Sequence, residues 1–183
     1  MPRLIHLNGP SGIGKSTIAQ LYADRHPGVL NLDIDQVVSL IGGWEDDFWN
    51  ALKAGAALAV AMAETHLRSG HDVVMPQLAT KLAEVQGFEA AASRTGSEYR
   101  EIVLWSGKQQ ALDRFAARAA SGDPARHRRI DDIVKEKGGP VLLERIHDHV
   151  TEFLRHRPEC VVVDTEEHDA EQTYDALLTV LGQ

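Results

Sequence analysis

Gly9-Pro10-Ser11-Gly12-Ile13-Gly14-Lys15-Ser16-Thr17 is the stretch from which the rest of the chain can be read. It satisfies G-x-x-x-x-G-K-[ST] in full, with the apolar run Arg3–Asn8 before it and a helical pattern over Gly14–His26 after it. A strand, a glycine-rich turn and a helix in that order are the context the pattern requires, which sets aside a plain connecting turn. The glycines let the backbone wrap closely round a phosphate chain with successive N–H groups pointing inward, and the helix N-terminus adds the positive end of its dipole. Lys15 supplies a point charge for the terminal phosphates, and the Ser16 hydroxyl is placed to ligate Mg²⁺. Gly9, Ser11, Gly12, Ile13, Gly14, Lys15, Ser16 and Thr17 are therefore the expected nucleotide-binding residues, with Lys15 also catalytic.

Working outward, four further apolar runs read as buried strands: Val29–Asp33, Asp72–Met75, Arg100–Trp105 and Cys160–Asp164. Each is nearly continuous in apolar character, as strands covered on both faces are. Helical patterns separate them, over Glu45–Ser69, Thr80–Thr95, Gln109–Ala120 and Ile130–Arg157, and Ala170–Leu181 closes the sequence. Strands alternating with helices predict right-handed crossovers and a mainly parallel five-stranded sheet in a three-layer α/β/α sandwich. Ser121-Gly122-Asp123-Pro124 breaks the rhythm, and a polar excursion of this kind between two helices suits a small helical lid at about 119–130. Residues 1–183 read as a single domain.

Composition narrows the function classes. The 183 residues are 43% hydrophobic and 25% charged, a globular balance. No apolar run approaches the roughly 20 residues of a membrane span, and the N-terminal LIHLN is too brief for a signal sequence. One cysteine, Cys160, makes no internal disulfide, which fits the reducing cytoplasm. A net charge of −8 argues against a general grip on nucleic acid. Oligomeric state leaves no mark in the sequence.

Leu32-Asp33-Ile34-Asp35 ends the second expected strand. Alternation along an extended strand puts both aspartates on one face, at the carboxyl edge where ligands bind in open α/β sheets. One carboxylate is then available to Mg²⁺ and the other to orient or deprotonate an acceptor hydroxyl. A helix N-cap at Asp35, before Gln36-Val37-Val38, explains one aspartate but not both. The GTPase strings D-x-x-G and N-K-x-D are absent, as is LSGGQ. Val161-Val162-Val163-Asp164 with Glu166 and Glu167 has the look of the metal-holding strand of motor ATPases, but only one short helix follows it.

Taken together, the phosphate loop near residue 10, Asp33-x-Asp35 and the arginines Arg114 and Arg118 before a lid resemble the small-molecule kinases of the P-loop superfamily. These include shikimate and gluconate kinases, chloramphenicol phosphotransferase and zeta-toxin-type kinases. The resemblance implies a P-loop NTPase fold, with ATP and Mg²⁺ as cofactors. It assigns Asp33 to the metal, Asp35 to the acceptor hydroxyl, Arg114 to stacking on adenine and Arg118 to the transferring phosphate. Arg126 reaches in from the lid in this reading, with Arg128 and Arg129 as substitutes. The region from Val37 through the long helix would bind the acceptor and differs most between such families.

Gln77 closes the third expected strand at the same edge, where it either contacts the acceptor or satisfies loop backbone. Trp44, Phe48 and Trp49 either line an acceptor pocket or dock the long helix. His147 and His149 lack metal-ligand spacing and read as surface residues. The resulting expectation is an ATP- and Mg²⁺-dependent phosphotransferase acting on a hydroxyl of a sugar, metabolite or antibiotic. Its catalytic residues are Lys15, Asp35, Arg118 and Arg126, and its substrate residues Asp35 and Gln77. The alternatives are a nucleoside or nucleotide kinase, or an ATPase or switch module with no small acceptor. No nucleic-acid or membrane partner is expected.

Overall fold

The computed structural model describes residues 1–120 and 138–183, with side chains through residue 117 before the gap. The expected lid with Arg126, Arg128 and Arg129, the side chain of Arg118, and the start of the helix expected from Ile130 lie outside the described residues.

Five strands form one sheet: β1 (Arg3–Asn8), β2 (Leu30–Asn31), β3 (Val73–Pro76), β4 (Glu98–Trp105) and β5 (Val161–Asp164). Their order is β2-β3-β1-β4-β5, and every pairing is parallel. The helices are α1 (Lys15–Arg25), α2 (Ile34–Ser39), α3 (Phe48–Arg68), α4 (Leu82–Thr95), α5 (Lys108–Ala120), α6 (Pro140–Arg155) and α7 (Ala170–Leu181). Leaving central β1, the chain builds one wing of the sheet, then crosses over β1 to build the other. The crevice beyond the carboxyl end of β1 is thus the switch point at which ligands bind in such sheets.

Two apolar layers explain the unbroken burial of β1. Leu4, Val73 and Met75 face a core shared with Val38, Ala59, Leu67 and Phe88. Ile5, Leu7, Ile102 and Leu104 face the opposite core, with Ile18, Tyr22, Tyr174 and Leu177. The helix α3 buries Ala51, Gly55, Ala59, Ala63 and Leu67, a four-residue repeat of mostly small side chains. Small residues let α2 come close: a Cβ on Gly55 would lie 2.5 Å from Cγ2 of Val38 and 3.3 Å from its Cα. Among the described residues, no helix is long and apolar enough to cross a membrane.

Three expectations need correction here. The run Val29–Asp33 pairs as a strand only over Leu30–Asn31, and the chain then turns directly into α2, the helix that the sequence reading weighs with its cap at Asp35 and sets aside. Asp33 is the N-cap of that helix: its Oδ1 accepts from the Asp35 N–H at 3.0 Å. A short carboxylate that captures the amide two residues on ends the strand and starts the helix. Asp33 and Asp35 are therefore a cap and a first-turn residue, not two positions of one strand face. His147, expected at the surface, is buried against Trp105, with its Nε2 3.1 Å from the Ser106 carbonyl oxygen.

Candidate active site

The site is assembled at the carboxyl edge of the sheet, one segment after each strand. The loop after β1 carries Gly9–Lys15, the turn after β2 carries Asp33 and Asp35, and the turn after β3 carries Gln77. Arg114 stands on α5, after β4, and Thr165 follows β5.

The loop is shaped by contacts that only glycine tolerates. At Gly9 (φ 136°) a Cβ would lie 2.3 Å from the Leu104 carbonyl oxygen, so the loop leaves β1 pressed against β4. Gly14 (φ 103°) caps α1 in the left-handed region with no side-chain hydrogen bond to the first amides, and a Cβ there would meet nothing within 4 Å. A helix N-terminus headed by glycine, with open space beside it, fits a phosphate group. Ile13 is buried in the core and anchors the loop from below, while Ser11, Lys15 and Ser16 are partly exposed and Thr17 is exposed. The Lys15 Nζ donates to the carbonyl oxygens of Gly9 (2.8 Å) and Pro10 (2.9 Å), which folds the ammonium back over the loop.

Asp33 is buried, with one carboxylate oxygen used as the cap; Asp35 is partly exposed. Oxygen donors of this kind, a buried carboxylate and the Ser16 hydroxyl, suit a hard cation such as Mg²⁺.

On the opposite wing, Arg114 donates through NH2 to the carbonyl of Thr165 at 2.7 Å and through NH1 to its hydroxyl at 3.3 Å. Thr165 is itself buried, its N–H 2.7 Å from the Trp105 carbonyl. The helix α5 and the loop after β5 are thereby joined, which places Arg114 beside the segment Asp164–Glu166. Gln77 donates its backbone N–H to the Leu7 carbonyl (3.1 Å), and its amide side chain reaches the Leu78 carbonyl at 3.3 Å. Trp44 and Phe48 pack against the core on the α3 face, whereas Trp49 is exposed.

The sequence reading missed a buried polar cluster beneath the loop. His6 and Asn8, both fully buried, project from β1 on the same face as Glu101 of β4. The His6 Nε2 lies 2.8 Å from the Gln77 carbonyl, so it donates there, and Nδ1 lies 2.9 Å from the Tyr99 hydroxyl. The Glu101 carboxylate accepts from Asn8 at 3.0 Å and pairs with Arg157 NH2 at 3.0 Å. Arg157, just past α6, also holds Glu89 of α4 at 2.6 Å. Burial pushes the Glu101 carboxyl up, but His6, Cys160 and Asn8 outweigh it, and the group ends below its usual range. Burial, reinforced by the Glu101 carboxylate, pushes the Cys160 thiol up to about 12. The available signal was in LIHLN itself: polar side chains at alternate positions of an otherwise apolar buried strand need partners.

Solved structures share this architecture. The tunicamycin resistance protein of Deinococcus radiodurans superposes with a TM-score of 0.63 at 17% identity, over 100% of this chain and 96% of its own. A gluconokinase from Sinorhizobium meliloti gives 0.57 at 16% identity, over 99% and 96%. Deoxyadenosine kinase from M. mycoides gives 0.54 at 12% identity, over 98% of each chain. A search of curated proteins finds no match. A family model described as an AAA domain matches residues 4–140, from β1 to the start of α6 and short of Val161–Asp164. With that model covering well over half of its length, and with the P-loop kinase-like α/β fold around it, the chain belongs to this AAA domain family.

Proposed function

We propose that this chain is an ATP- and Mg²⁺-dependent phosphotransferase that moves the γ-phosphoryl group of ATP to a hydroxyl of a small molecule. The observation that carries the reading is the loop itself: positive-φ glycines at 9, 12 and 14 lead from β1 to the N-terminus of α1, and the Lys15 ammonium is held over the same turn on the Gly9 and Pro10 carbonyls. Lys15, leaving the Gly9 and Pro10 carbonyls, would follow charge as it develops on the transferring group. Ser16 and Asp33 would hold Mg²⁺, which neutralises phosphate charge when bound. Asp35, in the first turn of α2, would accept the proton of the acceptor hydroxyl. Arg114 would stack on the base against the Thr165 loop, and Arg118 and Arg126 would meet the phosphates. Gln77 would hydrogen-bond the acceptor.

Structural likeness to a gluconokinase and to a tunicamycin resistance protein supports a hydroxylated small molecule as acceptor. Likeness to a deoxyadenosine kinase favours a nucleoside as the second choice. Residues 1–183 act as one cytoplasmic unit in this reading.

The test is an acceptor screen over sugars, nucleosides and hydroxylated antibiotics, followed by ADP release. Release that depends on one acceptor class supports the reading and identifies that class. Rapid ADP release with no dependence on any acceptor overturns it in favour of an ATPase or switch. Mg²⁺-ATP should also raise Tm in proportion to its binding, and more than Mg²⁺-GTP does.

A further inference from the structure

Asn8 is fully buried and spends its whole hydrogen-bonding capacity. Its Oδ1 accepts from the Gly9 N–H at 2.7 Å and from the Ala79 N–H at 2.9 Å. Its Nδ2 donates to the Ala79 carbonyl and to Glu101 Oε1, both at 3.0 Å. The backbone ladder between β1 and β3 stops at Leu7 and Pro76, with one further bond from the Gln77 N–H to the Leu7 carbonyl. Beyond that point the β1 chain swings into the phosphate loop at Gly9 and the β3 chain swings into the turn 77–80. The Asn8 carboxamide supplies the next rung, pairing both backbone groups of Ala79 where the two backbones no longer pair directly.

We propose that Asn8 is a positioning residue that couples the phosphate-binding loop to the turn after β3, so that nucleotide bound at one orders the other. The proposal rests on the nucleotide-binding reading above and adds to it a path by which the donor and acceptor sides are held in register.

The chain of contacts has little slack. Gly9, held at its N–H by Asn8, presents its carbonyl to the Lys15 Nζ at 2.8 Å and is backed by Leu104, which a Cβ would strike. A shift of Asn8 is therefore felt at the lysine. On the far side, Ala79 is gripped by Asn8 and the Gln77 carbonyl by His6, so two neighbouring side chains of β1 hold the turn at two points. Glu101 sets which way the carboxamide is turned. A carboxylate only accepts, so the NH₂ group must face it and the carbonyl must face Gly9. Arg157 occupies the other Glu101 oxygen at 3.0 Å, so Glu101 has its own partner in this buried setting.

The test is hydrogen exchange on the full chain with and without Mg²⁺-ATP, comparing wild type with Asn8→Ser. A serine hydroxyl is long enough for the Gly9 N–H but too short to span to Ala79. In wild type, Mg²⁺-ATP should slow exchange in peptides covering both 9–18 and 77–84, with the Ala79 amide slowed by about fivefold or more. In Asn8→Ser the slowing should persist at 9–18 and vanish at 77–84, while β4 and α1 exchange as in wild type without ligand. That split is one a merely structural role does not produce, because loss of structure raises exchange with and without ligand alike. Equal ligand protection of 77–84 in both proteins overturns the coupling, as does wild-type protection confined to 9–18. Absence of protection at 9–18 in wild type overturns the nucleotide reading itself, a separate outcome. If Asn8→Ser does not fold, Asn8→Ala, which removes both bonds to Ala79 and adds no charge beside Glu101, is read at 77–84 in the same way, and wild-type protection that fails to reach the Ala79 amide still overturns the coupling.

Discussion

The ammonium of Lys15 lies 2.8 Å from the carbonyl oxygen of Gly9, so the last part of the phosphate loop is tied back to its first residue. A second bond to Pro10 at 2.9 Å closes the ring. The cation proposed to serve phosphate thus has a resting place on the loop's own carbonyls, and the loop keeps its shape through groups that a phosphate would replace.

Lys15→Ala should therefore lower phosphoryl transfer by at least about 100-fold, the scale on which one positioned donor to developing charge acts. The far-ultraviolet circular dichroism should not change, because Ile13 and Ile18, not Lys15, anchor this segment in the core. Steady-state rates alongside the spectrum decide it; unchanged turnover would remove the loop from the chemistry.

Asp35→Asn should reduce transfer by about 10²–10⁴-fold, the usual contribution of a general base, with ATP affinity nearly unchanged. Asp33→Asn should behave differently. Asparagine caps a helix as well as aspartate does, so α2 should persist, but the Mg²⁺ concentration for half-maximal rate should rise. A metal titration of both variants separates the roles, and exchanged phenotypes would exchange the assignments.

Gly55→Ala should destabilise the fold although alanine favours a helix by about 1 kcal/mol. The added methyl meets Val38 at 2.5 Å, and overpacking of this kind costs about 1–3 kcal/mol. Since α2 carries Asp35, transfer should fall as well. Val38→Ala in the same chain should recover most of the loss in urea unfolding. A stable Gly55→Ala single variant would show that α2 shifts without cost.

Acid stability should depend on Glu101. Its carboxyl lies below the usual range because His6, Cys160 and Asn8 outweigh burial. A depressed folded-state value contributes stability above the unfolded value near about 4.3, and that contribution is lost as pH falls through the folded value. Glu101→Gln should melt lower at pH 7, where Arg157 loses a partner, and should show a flatter decline of Tm between pH 5 and 3 than wild type, to within about a unit. Parallel curves for the two proteins would place the acid sensitivity elsewhere, among exposed pairs such as Arg94 with Glu64.

Much of this molecule is local chemistry, and local chemistry is legible. The phosphate loop could be read because glycine, lysine and hydroxyl positions must follow one another along the backbone that does the wrapping. The central strands could be read because strands covered on both faces are continuously apolar, and Leu4–Asn8 of β1, all of β3 and Glu101–Leu104 of β4 are buried. Reading failed where two local rules competed. Leu32–Asp35 satisfies alternation, yet the Asp33 carboxylate takes the Asp35 amide and starts α2, a hydrogen bond that sequence spacing does not weigh against pairing.

What only tertiary structure decided is which distant residues meet. His6, Asn8, Glu101 and Arg157 are separated by up to 151 positions, and nothing local marks them as one cluster. Parallel strands bring β1 beside β4, and the chain just past α6 brings Arg157 across to Glu101 of β4 and Glu89 of α4. The sequence alone determined that a phosphate-binding turn stands at the head of a buried strand. The fold decided what that strand's polar side chains hold, because a buried donor or acceptor must find its partner wherever packing has put one.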